Sequence, residues 1–119
     1  MSNELVTSAL SIQYSKNSAN IACGPAGGNF TVSGDNALKL ARSIATTDVT
    51  LSIGSISTIG WVWLRNLDPT NFIIFGLDGS TYGLKLKPFE FTFVRWNGAA
   101  IHAKSDTAAC LLEYAVFED

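Results

Sequence analysis

The residues that could do chemistry are few. His102 is the only histidine. A nucleophilic triad needs one His beside a Ser and an Asp, and both of those are plentiful. Yet no Gly-x-Ser-x-Gly elbow occurs to hold a serine on a strained turn. His102 sits between Ile101 and Ala103 in an alternating run, which predicts a strand position facing solvent or an interface. A zinc site draws its ligands from close pairs, whereas Cys23 and Cys110 lie far apart and one His cannot complete a set. The glycines of Cys23 to Phe30 contain no Gly-x-Gly-x-x-Gly and no P-loop lysine, so that stretch predicts a flexible loop. Glu90 and Glu113 alternate with apolar neighbours, which places them on solvated faces. No catalytic, cofactor-binding or metal-ligating residue is assigned, and the expectation is that the chain is not an enzyme.

The polar string Arg65-Asn66-Leu67-Asp68-Pro69-Thr70-Asn71 stands between two apolar runs. Pro69 fixes the φ wanted at the second position of a tight turn. The Asp68 carboxylate can accept the Thr70 N–H and close an Asx-turn, with Asn71 serving similarly at the exit. Arg65 and Asn66 then fall at a strand end, where polar groups re-enter water. The string reads as a corner rather than a reactive loop, with a ligand or partner contact as the alternative. Trp61 and Trp63 share a parity, so both point the same way. They predict core, because each buries a large area. An exposed row of Trp61, Trp63 and Trp96 would instead make a sugar platform.

Positioning these side chains falls to short strands. Turn signals recur and helix signals are scarce. Glu4–Tyr14 alternates, with Val6, Leu10, Ile12 and Tyr14 on the more apolar, half-buried face. Asn29–Gly34 predicts a short strand. Ala37–Ala45 favours helix by composition, but its brevity and the β-branched run that follows predict strand. Thr50 to Ile53 continues as strand. Ile59–Asn66 and Asn71–Leu77 are dense in aromatic and branched residues. Asp78-Gly79 and Asn97-Gly98 predict two hairpin turns. Phe89, Phe91 and Phe93 share one face. In the last strand Leu112, Tyr114 and Val116 face the core and Glu113 lies outside. Eight to ten short strands predict an all-β fold: one antiparallel β-sandwich over residues 1–119, jelly-roll-like.

With 119 residues, 47% hydrophobic and only 15% charged, the chain can build a core without disulfides or metal. Its net charge of −2 and scattered Lys and Arg offer no basic stripe for nucleic acid. No apolar run is long enough to cross a bilayer. Met1-Ser2-Asn3-Glu4 carries no secretory signal pattern. Cytoplasmic synthesis is therefore expected, with Cys23 and Cys110 as buried free thiols.

The second half resembles a family of small virion proteins from tailed bacteriophages. Asn66, Leu67, Asp68, Thr70 and Asn71 match its corner, and Gly76 ends the strand that follows. Leu86, Lys87, Pro88 and Glu90 match a hairpin, with Phe89 inserted. Ala103, Lys104, Thr107, Ala108, Glu113 and Tyr114 match the terminal strand. The resemblance implies a β-sandwich building block of a virion, with no family active site to carry over. The expected function is a capsid decoration (cement) protein that stabilises a phage head. Its expected partner is the major capsid protein or another virion protein, and it is expected to form a homo-oligomer, a trimer above others. A head–tail, tail or fibre component is the alternative within the resemblance. A carbohydrate-binding module using Trp61, Trp63 or Trp96 is the alternative outside it.

Overall fold

The computed structural model describes residues 5–30 and 32–119; Glu4 and Thr31, which two of the expected strands include, lie outside that range. Ten strands form among the described residues, all paired antiparallel, and no helix. The chain divides into two compact units, Met1–Val32 and Ser33–Asp119.

The first unit is a two-stranded hairpin of β1 (Leu5–Lys16) and β2 (Ala19–Phe30). Asn17 and Ser18 turn it, both at positive φ, as a two-residue hairpin loop requires. The glycine-rich stretch after Cys23 is strand and not the expected loop. Its irregularity survives as shifts of register around Leu10. Gly24 sits there at φ 84°, and a Cβ at this position would collide with the Leu10 carbonyl. Toward the tip Ile12 pairs with Cys23 and Tyr14 with Ile21. Paired residues share a face, so Leu10, Ile12, Tyr14, Ile21 and Cys23 point one way. Ser11, Gln13, Ser15, Asn20 and Ala22 point the other. The expected half-buried face is instead open, with Val6, Leu10, Ile12, Tyr14 and Ile21 all exposed. A two-stranded sheet has no second layer of its own to cover them. Cys23 is likewise exposed, against expectation, while Cys110 is buried; both are free thiols.

The second unit is an antiparallel sandwich. Its strands are β3 (Ala37–Ile44), β4 (Val49–Thr50), β5 (Ile59–Asn66), β6 (Ile73–Gly76), β7 (Leu84–Leu86), β8 (Phe91–Arg95), β9 (His102–Ser105) and β10 (Cys110–Glu118). One sheet runs β3-β10-β5-β8 and the other β4-β9-β6-β7. The pairing is nested: β3 with β10, β4 with β9, β5 with β8, β6 with β7. The core lies between the sheets. Val62 and Leu64 reach it from β5, Leu112, Tyr114 and Val116 from β10, Ile73 and Phe75 from β6, and Ala103 from β9, all fully buried. The parity expected for the last strand holds, with Glu113 outside.

Three expectations about connections change. Strand β4 ends at Thr50, before Ile53. Neither Asp78-Gly79 nor Asn97-Gly98 is a primed hairpin turn, since neither glycine takes a positive φ. Asp78 closes its loop by its side chain, whose Oδ1 accepts the N–H of Ser80 at 2.9 Å and of Thr81 at 2.8 Å. Asn97-Gly98 lies between β8 and β9, which belong to opposite sheets, so the dipeptide marks a crossover.

Candidate functional site

The corner after β5 is built as its residues dictate. Asp68 Oδ2 accepts the N–H of Thr70 at 2.9 Å and of Asn71 at 2.6 Å. Asn71 Oδ1 accepts the Thr107 hydroxyl at 2.8 Å. Asn66 departs from expectation: it is completely buried. Its Nδ2 donates to the carbonyls of Asn71 at 2.9 Å and Leu86 at 3.1 Å, and its Oδ1 accepts the Asp68 N–H at 2.9 Å. The side chain shares the inward parity of Val62 and Leu64, so water cannot satisfy it and the backbone must. Asn66, Asp68 and Asn71 are thus committed to structure.

His102 lies on the outward parity of β9 and meets Asp48, with Nδ1 2.8 Å from Oδ2. Tyr82 donates its hydroxyl to Asp48 Oδ1 at 2.6 Å. The Lys104 ammonium stands 5.3 Å from the Tyr82 ring centroid. Hydrogen bonds from Tyr82 and His102 hold the Asp48 carboxyl below its ordinary range. The same bond to Asp48 pushes the Tyr82 phenol up to about 12. A phenol held protonated in this way serves as a donor and not as a base. The trio clamps the 46–48 turn and the 77–83 loop to β9. Sequence reasoning missed Asp48 and Tyr82 because only the folded sheet brings them to His102. Among the described residues no three His, Cys, Asp or Glu gather as metal ligands.

The surface that stands out is the outer face of β3-β10-β5-β8. Trp61 and Trp63 share a parity as expected, but it is the outward one, since Val62 and Leu64 fill the core. The expectation of core tryptophans fails for these two. On β8 the alternation continues: Thr92 and Val94 turn inward, Phe91 and Phe93 outward. Trp61 stacks on Phe93 with centroids 4.7 Å apart and planes 9° apart, and Trp63 meets Phe91 at 5.3 Å. The Arg95 guanidinium lies over Trp61 at 5.7 Å and bonds Asp119 Oδ1 at 2.7 Å. On β10, Ala115 opposes Trp63, and Phe117 shares its outward parity. Glu113 meets Lys39 at 3.7 Å and the Trp63 indole N–H at 3.5 Å. Five aromatic rings therefore share one sheet face, with a thin rim of charge. Each strand alone shows its alternation, but only the β5–β8 pairing brings the two aromatic pairs together.

Trp96 belongs elsewhere. It has the inward parity of Val94, packs against the core and donates its indole N–H to Ala100 O at 3.0 Å. It lines an open groove of about 570 Å³, with Leu77, Leu84, Val94, Asp78 and Asn97 among its neighbours. The groove runs between β7 and β8, the edge strands of the two sheets. The three tryptophans do not form one row. Comparison with protein-family models, with curated proteins and with solved structures finds no match for this chain.

Proposed function

We propose that this chain is a structural virion protein that covers the outside of a tailed-phage head and stabilises it by contact. The observation that carries the reading is the outer aromatic face of β3-β10-β5-β8, where Trp61, Trp63, Phe91, Phe93 and Phe117 sit where a solvated sheet face would be polar. A contiguous apolar area rimmed by charge is what an interaction surface presents. The nested strand order supports a jelly-roll reading of the sandwich, an arrangement used by capsid and lectin domains. The resemblance of the corner and terminal strand to small phage virion proteins supports the choice of partner. Many identical copies on a capsid lattice would make a modest contact per copy sufficient.

The test is calorimetry of expanded heads with and without the protein, paired with a pull-down. Wild type should bind and raise the disruption temperature. Phe91→Asp, at a side chain already more than half exposed, should fold normally and abolish both effects. No binding and equal disruption temperatures for wild type would move the protein to the tail or fibre. A second reading, carbohydrate binding, is favoured by Trp96, Asp78 and Asn97 in the open groove. It predicts that tryptophan emission shifts on glycan titration and that Asn97→Ala removes the shift. The Trp61 and Trp63 rings support this reading less, because they are engaged with Phe93 and Phe91.

A further inference from the structure

We infer that the apolar face of the β1–β2 hairpin packs against the same face of a second copy of this chain, head to tail about a twofold axis. The inference needs no capsid and stands apart from the virion reading. A lone two-stranded hairpin is marginal in water, yet this one extends for 12 residues per strand, roughly 40 Å at a strand's rise. Its two faces differ sharply toward the tip. Leu10, Ile12, Tyr14, Ile21 and Cys23 form one, while the other carries Ser11, Gln13, Ser15 and Asn20. Such one-sidedness marks a face meant to be covered.

Charge narrows the occupant. Lys16 is the only charged residue from Leu5 to Phe30, so the hairpin has nothing with which to recognise a nucleic acid or a charged protein. An apolar face whose one charge stands at its end complements itself. Lys16 stands at the tip, paired with Ala19 on the apolar side. Head-to-tail packing of two hairpins places the two ammonium groups at opposite ends. A threefold bundle of parallel arms would gather three of them at one end, where they repel.

Area agrees. Leu10, Ile12, Tyr14 and Ile21 are each about half exposed. Covering each removes on the order of 100 Å². With Cys23 and the small residues between them, two copies bury roughly 1,000 Å² together, the lower bound for a specific interface. The small side chains at Ala19 and Ala26, paired with Lys16 and Leu10 on that face, let the two layers approach.

The experiment is sedimentation of the full chain across a dilution series, with Cys23 labelling as a second readout. Cys23 is exposed and Cys110 buried, so an added thiol reagent reports the hairpin face alone. Wild type should show twice the 12.7 kDa chain mass, with Cys23 shielded when concentrated and reactive on dilution. Ile12→Asp should raise the dissociation constant at least tenfold and free Cys23 at all concentrations. Gln13→Asp, on the polar face, should do neither. All three tryptophans lie in the sandwich, so an unchanged unfolding midpoint by tryptophan emission certifies that the variants fold. A monomeric wild type overturns the inference. Cys23 reactive throughout would then mean that the face awaits another protein, and Cys23 shielded throughout that the chain covers it itself. A threefold mass, or a dimer that survives Ile12→Asp, overturns it equally.

Discussion

Asn66 shows how one side chain carries a corner. Its amide, at the end of β5, holds three backbone groups, two in the 67–71 turn and one at the end of β7. Asn66→Ala would remove all three bonds, of which the one to the Leu86 carbonyl is fully buried. At about 1–3 kcal/mol for a buried group left unsatisfied, the expected loss is about 3 kcal/mol. Asp68→Ala loses two hydrogen bonds nearer the surface and should cost about 1 kcal/mol, while Asp68→Asn keeps an acceptor and should be mild. Urea unfolding followed by tryptophan emission gives all three values. An Asn66→Ala variant as stable as wild type would remove this account of the corner. Asp68 was legible in the sequence because an Asx-turn is local: donor and acceptor are two residues apart. Asn66 was not, because its Leu86 partner comes from another strand and its burial depends on the register of β5. Asp48, Tyr82 and His102 were hidden for the same reason, with chain separations that no short motif spans.

Strand β10 lies inside its sheet, paired with β3 on one side and β5 on the other. Its alternation was readable throughout, so the inward placement of Leu112, Tyr114 and Val116 followed from sequence alone. Glu118 shares their parity and follows them inward, being nearly buried. Its Oε1 accepts the N–H groups of Asp35 at 3.0 Å and Asn36 at 3.2 Å. Its Oε2 accepts the N–H of Ser57 at 2.7 Å and the Ser57 hydroxyl at 3.0 Å. One carboxylate thus pins the end of β10 to the 34–36 and 55–58 loops. No periodicity could announce this, since an acidic residue near a strand end reads as solvated. The bonds from the Ser57 backbone and hydroxyl, then those from Asn36 and Asp35, hold its pKa below the ordinary value of 4.5. The unfolded chain therefore takes up the proton first. The stabilisation is complete above pH 4.5 and is lost as pH falls through the lower folded value. Asp48 and Asp78, depressed below an ordinary value of 3.8, begin to lose theirs at a lower pH than Glu118 does. The expected result is a urea midpoint that holds steady down to about pH 5 and then declines, with the early part of the decline missing in Glu118→Gln. Identical pH profiles for the two proteins would show that Glu118 has no part in it.

At the scale of the molecule, alternation and turn frequency were enough for an antiparallel all-β fold. They were not enough for the strand order, because nested pairs such as β3 with β10 join segments from opposite ends of the sandwich. They also gave one sandwich where the contacts divide the chain at Val32. The reason is that an amphipathic strand looks the same whether its apolar face meets a second sheet or none. The buried core makes the division concrete. Every side chain in the core cluster, and every one packed against it, falls between Leu38 and Val116. Both four-stranded sheets close between Ala37 and Glu118. A unit with its own core and its own complete ladders has what independent stability requires. Brief proteolysis should therefore cut the hairpin or the segment that follows it before it cuts the sandwich. The surviving fragment should begin near Ser33 and carry all three tryptophans. Its emission spectrum and its urea midpoint should match those of the intact chain, because removing residues that contribute nothing to the core removes none of its buried area. Mass spectrometry of the resistant fragment and its unfolding curve decide the matter. A fragment that unfolds as soon as the hairpin is cleaved would mean that the first strands hold up the sandwich, and the division at Val32 would then lose its energetic meaning.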